Sequence, residues 1–225
     1  MRSHIKPTLN YIRKLRYKLQ MKLKINKSIS LVLCLTLLGL ASCRPVEQTQ
    51  ASTNSADQKQ QSSQLLPIAQ NGKFGYIDQT GKIVIQAQFD DAGDFSEGLA
   101  QVEINKKVGY IDQTGKIVIE PQFDDADDFS EGLAAVMVDN KLGYIDKTGK
   151  MAIAPQFDDA ENFSEGLAEV KIDDKWGYID KSGETVIKPQ FDDTENFISG
   201  VAEVKISDKS GYIDKTGKFI WNPSN

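Results

Sequence analysis

Beyond Cys43 the sequence contains no cysteine, and beyond His4 it contains no histidine. A body that starts after Cys43 therefore has no internal disulfide and no cysteine- or histidine-ligated metal site. Catalysis by a Ser-His-Asp or Cys-His set is excluded on the same ground. Acidic residues are absent from positions 1–42, which hold nine Lys or Arg, whereas the remainder carries 18 basic against 32 acidic residues, a formal charge of −14. So acidic a body is repelled by nucleic acid, and no nucleic-acid partner is expected. Helical periodicity is also missing, because no stretch of the body keeps an apolar face at 3.6-residue spacing for more than one turn.

Only one long apolar run is present, ISLVLCLTLLGL from Ile29 to Leu40, and it follows the basic stretch Arg13 to Lys27. Spanning a bilayer takes about 20 apolar residues, so this shorter run suits the core of an export signal. Leu40, Ala41, Ser42 and Cys43 then resemble a bacterial lipobox. Small residues at Ala41 and Ser42 let the chain lie extended in a peptidase groove, and Cys43 supplies the thiol that is alkylated. Cys34 does not fit the pattern, because Leu33 before it is bulky. The expectation is a lipoprotein signal peptide over 1–42, with Cys43 as the lipidated new N-terminus. The protein is then exported and lipid-anchored in a bacterial cell envelope, its membrane partner reached through that lipid. Met21 opens MKLKINKSIS, itself a sufficient signal start, and translation is expected to begin there.

Residues 43–64 are rich in Gln, Ser, Thr and Asn and nearly devoid of large apolar side chains. Such a segment cannot bury a core and is expected to be a disordered tether, with a random-coil reach of about 25 Å.

From 65 to 225 the chain repeats itself. GYIDQTGKIVIQAQFDD begins at Gly75, GYIDQTGKIVIEPQFDD at Gly109, GYIDKTGKMAIAPQFDD at Gly143 and GYIDKSGETVIKPQFDD at Gly177, with a shortened copy at Gly211. The period is 34 residues. That length also suits a helical tetratricopeptide array, but several glycines, β-branched pairs and two-residue alternation in each copy predict strands. Asn105-Lys106, like Asn71-Gly72, Asp139-Asn140, Asp173-Asp174 and Ser207-Asp208, occupies a two-residue type I′ hairpin turn. Asp112 to Lys116 predicts a second turn, closed by Gly115 in the left-handed conformation. The two turns give a three-stranded antiparallel meander with Val102 opposite Gly109, Ile111 opposite Ile117 and Gly109 opposite Ile119. Alternation places Ala100, Val102, Ile104, Ile111, Ile117 and Ile119 on one apolar face. Gln101, Glu103, Tyr110 and Val118 fall on the other. Gly109 leaves room for another backbone or a ring to approach.

One such meander is too small to stand alone, so neighbouring copies must cover one another. The expected fold is all-β, five stacked copies in an open, solenoid-like array, with propeller-like closure as the alternative. Pro67 in the first strand and FIWNPSN at Phe219 to Asn225 look like caps.

KWGYID at Lys175 to Asp180, within the pattern LAxVxxxxxWGYIDxxGKxVIxPQFDDAxxFSEG, resembles the bacterial WG-containing (KWG) β-repeat family. The resemblance runs through the whole body and implies a noncatalytic module on an exported protein. The signature tryptophan survives only as Trp176, with Phe74, Val108, Leu142 and Ser210 in its place elsewhere.

Chemistry is sparse. Asp124, Asp125, Asp128 and Glu131 cluster in a linker and are the residues a calcium ion would use. Their spacing lacks the alternating register of calcium loops, and turn capping accounts for them as well. Identical acidic sets in every copy do not resemble a glycosidase pair in one cleft. No enzyme activity, metal or cofactor is expected. Two functions remain. One is a scaffold that binds a protein partner or organises the envelope. The other is a glycan or cell-wall module that stacks sugars on Tyr76, Tyr110, Tyr144, Trp176, Tyr178 and Tyr212; packing between copies is the competing use of those rings.

Overall fold

A computed structural model describes residues 64–222. The chain divides into two units, Met1–Gln61 and Ser62–Asn225, and the described residues belong to the second. The signal segment with Met21, the lipobox residues Leu40, Ala41 and Ser42, Cys43, and the tether as far as residue 63 lie outside the described residues.

The described residues form five antiparallel sheets and no helix. The first sheet holds β1 (Leu66–Gln70), β2 (Lys73–Ile77) and β3 (Ile83–Phe89). The second holds β4 (Asp91–Ala92), β5 (Leu99–Ile104), β6 (Lys107–Asp112) and β7 (Ile117–Phe123). The third runs from β8 (Asp125–Ala126) through β9 (Leu133–Val138) and β10 (Lys141–Asp146) to β11 (Met151–Phe157). The fourth contains β12 (Asp159–Ala160), β13 (Leu167–Ile172), β14 (Lys175–Asp180) and β15 (Thr185–Phe191). The fifth contains β16 (Asp193–Thr194), β17 (Val201–Ile206), β18 (Lys209–Asp214) and β19 (Phe219–Trp221).

Each sheet is thus the predicted meander, and four of the five carry one strand more than expected. The extra strand is two residues of the linker, as where Asp125 and Ala126 pair with Met137 and Val136. The linker is extended rather than loose, and it hands the chain from one sheet to the edge of the next.

Turn chemistry explains the register. Asn105 and Lys106 both have positive φ, at 52° and 65°, and the hairpin pairs Ile104 with Lys107 and Val102 with Gly109 as the sequence predicts. At the second turn the Gly115 N–H donates to the Asp112 carbonyl at 2.9 Å. Asp112 Oδ1 accepts from the Thr114 N–H, the Thr114 hydroxyl and the Lys116 N–H. This side-chain mimic of a turn is why aspartate recurs there.

The pairing of β6 with β7 departs from the simple ladder. Ile111 lies opposite Ile117, but Tyr110 lies opposite Ile119 and Val108 opposite Phe123, so β7 carries bulges. Gly109 does not pair with Ile119. A Cβ on Gly109 would lie 2.4 Å from the Ile119 carbonyl oxygen and 2.7 Å from the Pro121 nitrogen, so the bulged backbone occupies the space a side chain would need. The bulge transfers Ile119 to the tyrosine face and turns Val118 out to solvent.

This corrects the expectation of one greasy face. Val108, Gly109, Tyr110 and Ile111 of β6 are all buried. Each inner sheet lies between two neighbours and buries both faces. The face bearing Tyr144, Ala135, Met137, Leu142, Ile153 and Phe157 packs with Phe163 against Ala168, Val170 and Ile179 of the next sheet. The first is the tyrosine face of a sheet and the second the valine face of its neighbour. The same junction recurs between every pair of successive sheets. Leu66 on the outer face of the first sheet and Tyr212 and Trp221 on that of the fifth are 44%, 41% and 49% exposed, so the two terminal sheets do not cover each other and the array is open.

Candidate functional site

The aromatic ladder proposed for sugar stacking is interior. Tyr76, Tyr110, Tyr144 and Tyr178 are fully buried, and Trp176 is buried beside Tyr178 and Phe191. Each of these tyrosine rings meets a linker phenylalanine, as in Tyr144 with Phe163 at 4.9 Å between centroids. The pairs Tyr76–Phe95, Tyr110–Phe129 and Tyr178–Phe197 match it. Each hydroxyl donates to a linker carbonyl: Tyr76 to Gly93, Tyr110 to Asp127, Tyr144 to Glu161 and Tyr178 to Glu195, at 2.6–2.9 Å. Burial first, then the charges of Asp127, Asp128 and Asp125, pushes the Tyr110 hydroxyl well above its usual range. A neutral donor locked to a carbonyl is a structural pin, not a reactive group. Among the described tyrosines only Tyr212 opens to solvent, 41% exposed, with Trp221 tilted against it at 6.4 Å. Phe74, Val108 and Leu142 fill the Trp176 position in other sheets, so the position selects apolar bulk. Ser210, in the last sheet, is the polar exception.

The candidate calcium ligands are engaged with protein groups. Asp124 takes the Lys107 ammonium at 2.7 Å and the Asp139 N–H at 3.3 Å, and the lysine bond holds its carboxyl below the ordinary range. Asp90, Asp158 and Asp192 repeat this bridge between a lysine of one sheet and the hairpin turn of the next. Asp128 accepts from Gln101 at 3.4 Å, and Asp125 is buried in β8. Among the described residues no three His, Cys, Asp or Glu side chains converge to hold a metal ion.

Glu131 belongs to a device that inspection of the sequence did not single out. Glu97, Glu131 and Glu165 sit at positive φ just before a glycine, which turns each carboxylate toward the next linker. There each accepts the N–H of Gly132, Gly166 or Gly200 at 2.9–3.0 Å. Each also meets an ammonium from the second turn of the next sheet, Lys147, Lys181 or Lys215, at 3.0–3.1 Å. Partial burial opposes ionisation of Glu131, but Lys181 and the Gly166 N–H outweigh it and keep the carboxyl below the usual glutamate range. The available signal was the recurring Glu-Gly pair together with Lys147, Lys181 and Lys215 at one turn position.

Glu169 is the most deeply buried carboxylate among the described residues, 4% exposed on β13, and accepts the Thr194 hydroxyl at 2.7 Å. Burial, helped by the nearby carboxylates of Glu161, Glu195 and Asp193, pushes its carboxyl up to about 8. Its surroundings are the packed junction between the fourth and fifth sheets. A shallow hollow nearby is lined by Asp193, Thr194, Glu195, Glu203 and Lys205.

Tandem antiparallel meanders, each pinned to the next by a tyrosine hydroxyl, define a β-repeat protein. The family described as WG containing repeat matches residues 74–107, 109–141, 143–176 and 176–209, and the chain belongs to that family. Among curated proteins none matches the chain. Solved structures with some likeness include a eukaryotic initiation factor, 8% identical with a TM-score of 0.48, covering 70% of this chain. The chain spans 51% of that factor's length. A protein of unknown function from Bacteroides caccae is 14% identical with a TM-score of 0.34, covering 71% of this chain and 77% of its own. A plant lectin from Cicer arietinum is 14% identical with a TM-score of 0.27, covering 57% of this chain and 87% of its own.

Proposed function

We propose that this chain is a non-enzymatic, lipid-anchored protein of the bacterial cell envelope whose repeat body serves as a protein-interaction or structural scaffold. The observation that carries the reading is the burial of the repeated tyrosines: the residues that recur most faithfully hold the stack together instead of lining a cleft. The repeated carboxylates support it, since Asp124, Glu131 and their equivalents bind lysines and backbone N–H groups of neighbouring sheets. The anchoring half rests on the Leu40-Ala41-Ser42-Cys43 sequence and the polar tether behind it. Two or three acyl chains, at about 0.8 kcal/mol per buried methylene, give near-permanent attachment.

Metabolic labelling with a fatty-acid analogue tests the anchor. The wild-type chain is expected to take up label and stay with membranes, and Cys43→Ala to lose both. Label retained by Cys43→Ala would overturn the anchoring. Trp176→Ala tests the scaffold against the glycan reading: a lowered melting temperature is expected. Loss of cell-wall retention at unchanged stability would instead favour a sugar platform.

A further inference from the structure

The two ends of the array are unlike its interior, and they are complementary to each other. At the valine face, Ala100, Ala134, Ala168 and Ala202 are at most 1% exposed, as are Ile111, Ile145, Ile179 and Ile213. Their counterparts in the first sheet are Leu66, 44% exposed, and Ile77, half-buried. Ile68, which takes the place of buried Val102, is also half-buried. At the tyrosine face of the fifth sheet, Tyr212 is open where Tyr76, Tyr110, Tyr144 and Tyr178 are not. Trp221, 49% exposed, stands where Ile85, Ile119, Ile153 and Ile187 are covered. Repeat arrays ordinarily end in polar capping faces. Both of these terminal faces keep large apolar side chains instead, against the expectation of caps.

We propose that the tyrosine face of the fifth sheet docks on the valine face of the first sheet of a second copy, so that copies associate head to tail. The contact continues an interface that the chain already forms between each pair of its own successive sheets. Side-chain volumes fit that arrangement. Inside the chain each junction is filled by a linker phenylalanine such as Phe129 or Phe163. Among the described residues no such phenylalanine follows β19, and the ends carry Trp221 in place of isoleucine and Leu66 in place of alanine. Extra bulk on both partners takes up the space of the missing ring. Ser210, in place of Trp176, lightens the same face.

Charge fits as well. The glutamate–lysine clamp links a loop of each sheet to the second turn of the next sheet. Carried across the new junction, the loop between β16 and β17 of the fifth sheet would meet the turn of the next copy's first sheet. The residues there are Ser199 and Gln79, both uncharged. At this position, then, neither a carboxylate nor an ammonium would be left facing a missing partner. Because the two surfaces differ, the association is heterologous, giving rings or filaments rather than a closed two-fold dimer. The inference goes beyond the anchored-scaffold reading and does not depend on it.

The test uses sedimentation velocity on the full chain in mild detergent. Wild type is expected to show species larger than a monomer, in a share that rises with concentration. Leu66→Asp spoils one end and Trp221→Asp the other, so each alone is expected to be monomeric. Their mixture is expected to give a dimer and nothing larger, because one intact tyrosine face meets one intact valine face. A monomeric wild type at all concentrations would overturn the proposal, as would a mixture that stays monomeric. A Leu66→Asp dimer formed by like faces would overturn it too. Far-UV circular dichroism confirms folding, and should either aspartate variant be unfolded, Leu66→Lys and Trp221→Lys replace the pair. Membrane retention of both variants is expected to equal wild type, which separates this outcome from failure of the lipid anchor.

Discussion

The Lys147 ammonium lies 3.0 Å from both the carboxylate and the carbonyl oxygen of Glu97, fifty residues earlier in the chain. Lys181 grips Glu131 and Lys215 grips Glu165 in the same way. The clamp ties two successive sheets at two points: the loop that carries the glutamate meets a glycine N–H in the corresponding loop of the next sheet, and the ammonium of that same sheet's second turn. Neighbouring sheets already pack through their apolar faces, and the clamp adds a polar tie at the rim of the same junction.

Removing the glutamate should therefore cost stability without disturbing any buried packing. Glu131→Ala leaves the Gly166 N–H and the Lys181 ammonium without this acceptor. The group is partly exposed, so solvent replaces part of what is lost, and the expected cost is roughly 1 kcal/mol. Lys181→Met should cost less, and the double variant less than the sum of the two, in a thermal or urea melt. Glu131 has a lowered folded-state pKa, so its contribution is present above the ordinary glutamate range and is lost as pH falls through the folded value. The Glu131→Ala deficit should accordingly vanish in acid.

How much of this was legible in the sequence depends on the range of each contact. The hairpin at Asn105-Lys106 and the turn at Asp112 to Gly115 are set by residues within five positions of one another, and both stand where the sequence predicts. The strand count fell short because Asp125-Ala126 is too short to show alternation, and only its pairing with Met137 and Val136 makes it a strand. Face assignment failed at Ile119 and Val118 because a bulge shifts the period by one residue, and no residue type announces it. The fate of the tyrosines was undecidable locally: a ring on a strand face looks the same in sequence whether water or another sheet covers it. The clamp stayed hidden for a related reason, since a contact fifty residues away leaves no periodic mark.

The tyrosine pins can be read one hydroxyl at a time. Tyr144→Phe keeps the ring against Phe163 but leaves the partly buried Glu161 carbonyl without that donor, at an expected cost of about 1 kcal/mol. Tyr212→Phe, on the open face, should change the melt of the monomer by less than about 0.5 kcal/mol. Equal costs at both positions would contradict the distinction between pinned and open tyrosines.

One hairpin carries a removable strain. Lys106 holds a φ of 65°, a conformation that its counterparts Gly72, Asn140, Asp174 and Asp208 tolerate better than lysine does. Lys106→Gly should raise stability by roughly 0.5–1 kcal/mol, because relief of the left-handed penalty exceeds the added freedom of the unfolded chain. The measurement is a urea midpoint that moves upward at unchanged slope. Gly115→Ala is the opposite case. Its φ is 85°, and a Cβ there would come within 3.1 Å of Ile85, so the variant should be clearly less stable.

Glu169 gives the pH dependence an unusual second limb. Its carboxyl is pushed up to about 8 by burial against the fifth sheet, far above an exposed glutamate. For a group whose folded pKa is raised, the neutral form favours the native state. Its contribution is fully present below about pH 4.5 and is lost as pH rises toward 8. The linker carboxylates Asp124 and Glu131 act in the opposite sense, since their lowered pKa values weaken the fold only when acid protonates them. Stability should therefore peak on the mildly acidic side of neutrality and decline through neutral pH. Glu169→Gln keeps the shape and an acceptor for the Thr194 hydroxyl while removing the ionisation. It should abolish the decline between about pH 4.5 and 8, leave the acid limb unchanged, and make the variant more stable than wild type at pH 8. A variant that tracks the wild-type profile across that window would mean that Glu169 ionises without cost, and that the junction between the fourth and fifth sheets admits water.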